Sequence, residues 1–146
     1  MTFEQADKLT QRIIAFMRQQ GGHYPYRTDE YLQWCVLSTL ATGQFIIRID
    51  GKGIRYFACW YWLDDEQLEK ILPENPEHRT RPTNINSGPN LYLPEVVSRG
   101  ETGDTLEIMK KIRKRTGRVF KNAYWHRYQH DNQFRKYRKE PCNGWR

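Results

Sequence analysis

Six consecutive residues, Arg99-Gly100-Glu101-Thr102-Gly103-Asp104, have the spacing in this chain best suited to chemistry. They link an apolar run, Leu91 to Val97, to a helical pattern from Thr105 to Arg115. Such a loop aims backbone N–H groups and the positive end of a helix dipole at a strand's carboxyl end, a setting that suits phosphate or pyrophosphate. Two glycines can equally do no more than let the chain turn, and both readings stand at this point. His126 and His130 are four apart and on a helix would face a metal together. Strand or irregular chain is expected there and no third ligand is evident, so no metal is expected. Cys59 sits in an apolar strand pattern without an activating base, a poor setting for a nucleophile. In the segment 124–146, Tyr124, Trp125, Tyr128, Phe134, Tyr137 and Trp145 are interleaved with Arg127, Arg135, Lys136, Arg138 and Lys139. Rings among cations can stack bases and neutralise phosphates, or form a final strand with one packed and one wet face.

The elements that would position these residues follow from periodicity. Thr2 and Gln5 have capping-box spacing, and Phe3, Ala6, Leu9, Ile13 and Phe16 recur as one helical face up to Gly21-Gly22. Pro25 makes His23-Tyr24-Pro25-Tyr26 an extended connector. Thr28 caps a second helix bearing Tyr31, Leu32, Cys35, Val36 and Leu40. Gln44–Ile49 and Ile54–Leu63 read as a hairpin around a four-residue loop, Asp50-Gly51-Lys52-Gly53, in which glycine supplies positive φ. The second of these strands is apolar on both faces and belongs in mid-sheet. Asp64 to Leu72 is a short acidic helix, and Pro73 to Pro89 a long loop suited to a lid or a binding segment. Pro94 cannot donate to a ladder, which predicts a bulge or an edge that splays its strand from a parallel neighbour. The loop then leads through a helix to a strand at Val119–Trp125, completing a βαβ unit with an expected right-handed crossover.

With 146 residues, 38% of them apolar, the chain suits a single domain over its whole length, and no apolar run can span a bilayer. Met1-Thr2-Phe3-Glu4 lacks the layout of a secretory signal, and Cys35, Cys59 and Cys142 match no zinc motif. These features imply reduced thiols in a cytoplasmic protein. Charge is divided unevenly: residues 99–146 hold 14 Lys/Arg against 5 Asp/Glu, a net of +9, while residues 1–98 carry a net of −2. A basic C-terminal third favours an acidic partner, either nucleic acid or a carrier protein.

The order helices, hairpin, bulged strand, glycine loop, helix and strand resembles the GNAT superfamily of N-acetyltransferases. The motif of that superfamily, Arg/Gln-x-x-Gly-x-Gly/Ala, is similar to Arg99–Asp104, with the first glycine displaced by one place and Asp104 where a small residue is usual. A divergent branch, the toxin-activating lysine acyltransferases, is more similar still. The matching stretches are Gln44-Phe45-Ile46-Ile47, Tyr56-Phe57-Ala58-Cys59-Trp60, Asn86-Ser87-Gly88, Leu91-Tyr92-Leu93 through Val97, and Gly100 to Met109-Lys110-Lys111.

This resemblance implies an α/β (α+β) fold, with a mixed, mostly antiparallel sheet of five to seven strands, helices on both faces and a splayed parallel pair. It implies transfer of an acyl group from a thioester donor, acyl carrier protein or coenzyme A, to an amine, a protein lysine. His23 would be the base. Glu95, beside Pro94 at the family's aspartate position, would orient it. Backbone around Val96, Val97 and Ser98 would hold the carbonyl, and Arg99, Gly100 and Gly103 the donor's phosphate. A competing reading keeps the fold without catalysis: nucleic-acid binding through Arg127, Arg135, Lys136, Arg138 and Lys139, in a phage or mobile element. A structural or virion component, dimerising through exposed Trp and Tyr, is a third.

Overall fold

The chain runs α1 (Phe3–Gln19), α2 (Asp29–Thr42), β1 (Phe45–Asp50), β2 (Gly53–Leu63), α3 (Asp65–Ile71), β3 (Asn90–Ser98), α4 (Asp104–Thr116), β4 (Asn122–Tyr128) and β5 (Phe134–Pro141). The computed structural model describes residues 1–21, 27–72, 81–117, 122–128 and 134–141, from residue 127 onward by backbone alone. Three of the four described helices start on side-chain caps. The Thr2 hydroxyl accepts from Gln5 N at 3.1 Å while the Gln5 side chain accepts from Thr2 N at 2.8 Å, the reciprocal box that the spacing predicts. Thr28 caps α2 through Tyr31 N, and Asp64 caps α3 through Gln67 N. The fourth, α4, starts from Gly103 in the left-handed region with no side-chain cap.

The strands form one sheet in the order β1-β2-β3-β4-β5. The β1/β2, β2/β3 and β4/β5 pairs are antiparallel, and β3/β4 is parallel. The sheet is therefore mixed and mostly antiparallel, as a GNAT-like α+β fold requires. Both of its faces are covered. Ile13, Met17, Leu32, Val36 and Leu68 from α1 to α3 pack on Phe57, Cys59, Tyr61 and Leu63. Ile108 and Ile112 of α4 pack on Tyr56, Ala58, Trp60 and Leu91. Burial on both sides explains why β2 is a continuous apolar run rather than an alternating one.

The hairpin is tighter than the expected four-residue loop. Asp50 pairs with Gly53, which leaves Gly51-Lys52 as the turn, and Gly53 takes φ 106°. The Asp50 carboxylate accepts from Lys52 N at 2.9 Å, the local bond that favours aspartate at a turn's first position. β4 begins at Asn122 and runs to Tyr128, later than the expected Val119–Trp125, and residues 118–121 lie outside the described residues.

Of the long loop, 73–80 lie outside the described residues, and the rest is stitched to the sheet. Trp62 N donates to Ile85 O at 2.7 Å, and Ser87 N donates to Trp62 O at 2.8 Å. The Gln44 side-chain amide donates to Trp60 O at 2.9 Å and Ile85 O at 3.0 Å. This part of the loop extends the sheet past the start of β1.

Candidate active site at the strand splay

Among the described residues, the parallel ladder between β3 and β4 contains only Leu91 with Ala123 and Tyr92 with Tyr124, although β3 continues to Ser98 and β4 to Tyr128. The cause lies one residue further along β3. Cys59 opposes Glu95 and Tyr61 opposes Tyr92, so Trp60 faces both Leu93 and Pro94. This is the bulge that Pro94 predicts, and bulges bend a strand and end its pairing. It also reverses the alternation. Leu91 and Leu93 face the α4 layer, Tyr92 faces the α1–α2 layer, and beyond the bulge Glu95, opposite Cys59, joins the Tyr92 side.

A row of buried polar groups lies on that side. Arg27 Nε is 3.3 Å from Glu95 Oε1, with side-chain exposures of 2% and 0%. The Arg27 guanidinium also lies 5.7 Å from the Tyr31 ring centre, and its backbone oxygen accepts from Arg18 at 3.0 Å. Next to the pair, the Cys35 and Cys59 sulfurs are 3.9 Å apart, and Tyr61 OH donates to Cys35 Sγ at 2.9 Å. Both cysteines are buried free thiols; Cys142 lies outside the described residues. Burial pushes the Cys59 thiol well above its usual range; the hydrogen bond and charge of Cys35 push it further, and so does the Glu95 charge. Burial raises the Tyr61 hydroxyl in the same way. Cys59 is therefore a neutral thiol at ordinary pH and no nucleophile.

At the point where the strands part, Tyr92 OH and His126 Nδ1 are 2.5 Å apart, and His126 Nε2 is 2.9 Å from Leu72 O. A carbonyl only accepts, so Nε2 carries a proton, and in the neutral ring Nδ1 accepts from the Tyr92 hydroxyl. This bridge ties β3, β4 and the end of α3. Tyr92→Phe removes it and is expected to cost about 1 kcal/mol, read from urea unfolding midpoints. His126 sits on a strand rather than a helix, and His130 lies outside the described residues. Among the described residues no group of three His, Cys, Asp or Glu side chains could hold a metal ion.

The stretch expected to hold the carbonyl, Val96 to Ser98, follows the bulge. Arg99 N donates to Arg55 O at 2.9 Å, which fixes the phase of this ladder: Val97 presents its N–H and C=O to β2, and Val96 and Ser98 present theirs to the splay. Val96 is 42% exposed and Val97 4%.

The glycine loop is closed on itself by charge. Ser98 Oγ accepts from Gly100 N at 2.9 Å and donates to Asp104 Oδ2 at 2.6 Å. Arg55 donates to Asp104 Oδ1 at 2.7 Å. Arg99 forms two bonds to Asp50, at 3.1 and 2.5 Å, and two to Glu101, at 2.9 and 2.5 Å. Gly100 and Gly103, at φ 84° and 85°, make these turns. Two guanidinium groups thus face three carboxylates, and buried Asp104 occupies the positive end of α4. Arg99 directs its charge at Asp50 and Glu101 rather than at an open cradle.

Arg99 and then the Lys52 N–H hold the Asp50 carboxyl down at about 2 from the ordinary 3.8. Hydrogen bonds from Ser98 and then Arg55 lower Asp104 as well. Folded-state values below the unfolded ones mean that the latch contributes stability above pH 3.8 and loses it as pH falls toward about 2. Amide exchange at Gly100 to Gly103 is expected to accelerate through that window, and Arg99→Gln is expected to remove the share due to Asp50 while leaving that of Asp104.

No protein-family model and no curated protein sequence matches the chain. His23, the expected base, lies outside the described residues. Of the basic residues expected to bind nucleic acid, only the backbone register is described: Arg127 stands opposite Lys136, Trp125 opposite Arg138 and Tyr124 opposite Lys139. No described helix is long and apolar enough to cross a membrane. Sequence reasoning missed two pairings, Arg27 with Glu95 and Tyr92 with His126. For the first, the available signal was a lone carboxylate inside the apolar run Leu91 to Val97.

Proposed function

We propose that this protein is an N-acyltransferase, moving an acyl group from a thioester to an amine, a protein lysine. The observation that carries this reading is the abrupt end of the β3/β4 ladder beside a bulge, the place where a thioester's narrow arm would enter. In the proposed reaction the lysine nitrogen attacks the thioester carbon, the C–N bond forms and the C–S bond breaks. His23 takes the proton from nitrogen, and the departing thiolate receives it. The Ser98 N–H, directed to the splay beside Val96, would meet the carbonyl oxygen; the expected part for Val97 falls away, because its backbone groups turn to β2. The chain from His23 to Arg27 is four residues, a reach of at most roughly 14 Å, and Arg27 contacts Glu95. That tether is consistent with Glu95 orienting the base.

The charge of the glycine loop bears on the donor. With Glu101 and Asp104 already on Arg99 and Arg55, the loop suits a diphosphate poorly. We therefore favour acyl carrier protein over acyl coenzyme A, the carrier's single phosphodiester lying outside the loop. Mass spectrometry of candidate lysine proteins incubated with the enzyme and either donor tests this reading. A mass gain equal to the acyl group, stronger with the carrier and lost in a folded His23→Ala variant, is the expected result. No gain from either donor, together with steeply salt-dependent binding to DNA through Lys136 and Arg138, would replace this reading with the nucleic-acid one.

A further inference from the structure

β1 is the terminal strand of the sheet, and among the described residues no strand pairs with its outer edge. Trp60 N donates to Gln44 O at 3.0 Å, which fixes the phase of the β1/β2 ladder. Gln44, Ile46 and Arg48 turn their backbone groups toward β2, so Phe45 and Ile47 turn theirs outward. Among the described residues nothing bonds to these outward groups. Beside them the two faces of the edge differ in chemistry. On the α1–α2 side stand Phe45 and Ile47, half-buried, and Ile49, 48% exposed. On the α4 side a groove of about 390 Å³ runs between β1 and α4, and Lys111, Lys114 and Arg115 line it with no carboxylate among its walls. None of these three cations forms an ion pair among the described residues. An open strand edge flanked by apolar residues is a template for another strand, which proteins otherwise protect.

From this arrangement we infer that the β1 edge is a docking site for an extended, acidic segment of a partner polypeptide. The segment adds as a further strand beyond β1. Its backbone pairs with Phe45 and Ile47. Every second side chain is acidic and lies over Lys111, Lys114 and Arg115, while the alternating apolar ones lie beside Phe45, Ile47 and Ile49. The alternation follows from the two-residue period of a strand, which sends successive side chains to opposite faces. A second copy of this chain fits less well, because edge-to-edge pairing would bring two sets of the same cations together on a protein of net charge +7. A nucleic acid would meet the cations but leave the strand edge unused. This inference is independent of the acyl-transfer reading.

The test uses the full chain and a fluorescent probe peptide in which Glu alternates with Val or Ile. Binding followed by anisotropy is expected to weaken about tenfold or more in Ile47→Pro. That change removes an outward N–H and leaves the bonds to β2 in place, as a matched urea midpoint would show. The same loss is expected when the probe is N-methylated at alternate amides, which requires no change to the protein. Lys114→Glu with Arg115→Glu, or a rise in salt, should weaken binding as well. A probe with its Glu and Val residues gathered into two blocks should bind no better than a polar control. Equal binding of the methylated and unmethylated probes would overturn the proposal. So would dimerisation of the free protein that Ile47→Pro abolishes, or a preference for an oligonucleotide that is indifferent to Ile47→Pro.

Discussion

Glu95→Leu is expected to destabilise the protein by about 3–5 kcal/mol. The Glu95 carboxylate and the Arg27 guanidinium, 3.3 Å apart, are almost completely removed from solvent. Taking away the carboxylate removes this ion pair from a buried guanidinium, and this penalty exceeds what the intact pair contributes relative to apolar side chains. The double replacement Arg27→Met with Glu95→Leu should therefore recover most of the loss, since neither charge then needs desolvation. Urea unfolding of the single and double variants, arranged as a cycle, measures this directly. Additive costs would mean that the two side chains do not act as a pair. The double variant has a second use. Once refolded to near-normal stability, it separates structure from chemistry: loss of acyl transfer in a stable double variant assigns the Arg27–Glu95 pair a role beyond stability.

Gly88→Ala is expected to cost about 3 kcal/mol, the upper end of ordinary overpacking. A Cβ at this position would lie 2.4 Å from Asp64 Cα, 2.5 Å from Asp64 N and 2.6 Å from Leu63 O. These are backbone atoms at the end of β2 and the cap of α3, so no side chain can rotate away to make room. Either the 85–88 segment lifts off Trp62, giving up the bonds from Trp62 N and Ser87 N, or β2 shifts. Calorimetry against Gly51→Ala, at a turn position where an added Cβ meets nothing within 4 Å, isolates the steric contribution. Similar midpoints for the two variants would show that the segment does not press on β2.

The features legible in the sequence were those set by neighbouring residues. The Thr2–Gln5 box, the Thr28 cap, the hairpin about Gly51 and the bulge at Pro94 each follow from the local chemistry of a few side chains, and each is found. The loop between α3 and β3 was less legible because Gly88 and Ser87 are held by Trp62 and Asp64, more than 20 positions earlier. The site was hidden for the same reason. Arg27 meets Glu95, and Tyr92 meets His126, across long separations that only the bulge and the parallel crossover bring together. The carboxylates of the glycine loop were visible in the sequence, but their partners were not. Arg55 comes from β2 and Asp50 from the hairpin, and these decide that the loop's charge is spent internally.

The extra residue in β3 works as a phase shifter. Ahead of Leu93–Pro94 the strand sends its odd-numbered side chains toward α4, and behind it the odd-numbered Glu95 and Val97 go toward α1 and α2. Pairing straight through position 94 without the bulge would do more than straighten the strand. It would swap the destinations of everything downstream, driving a carboxylate in among Trp60, Ile108 and Ile112 and stranding Arg27 on the opposite side of the sheet.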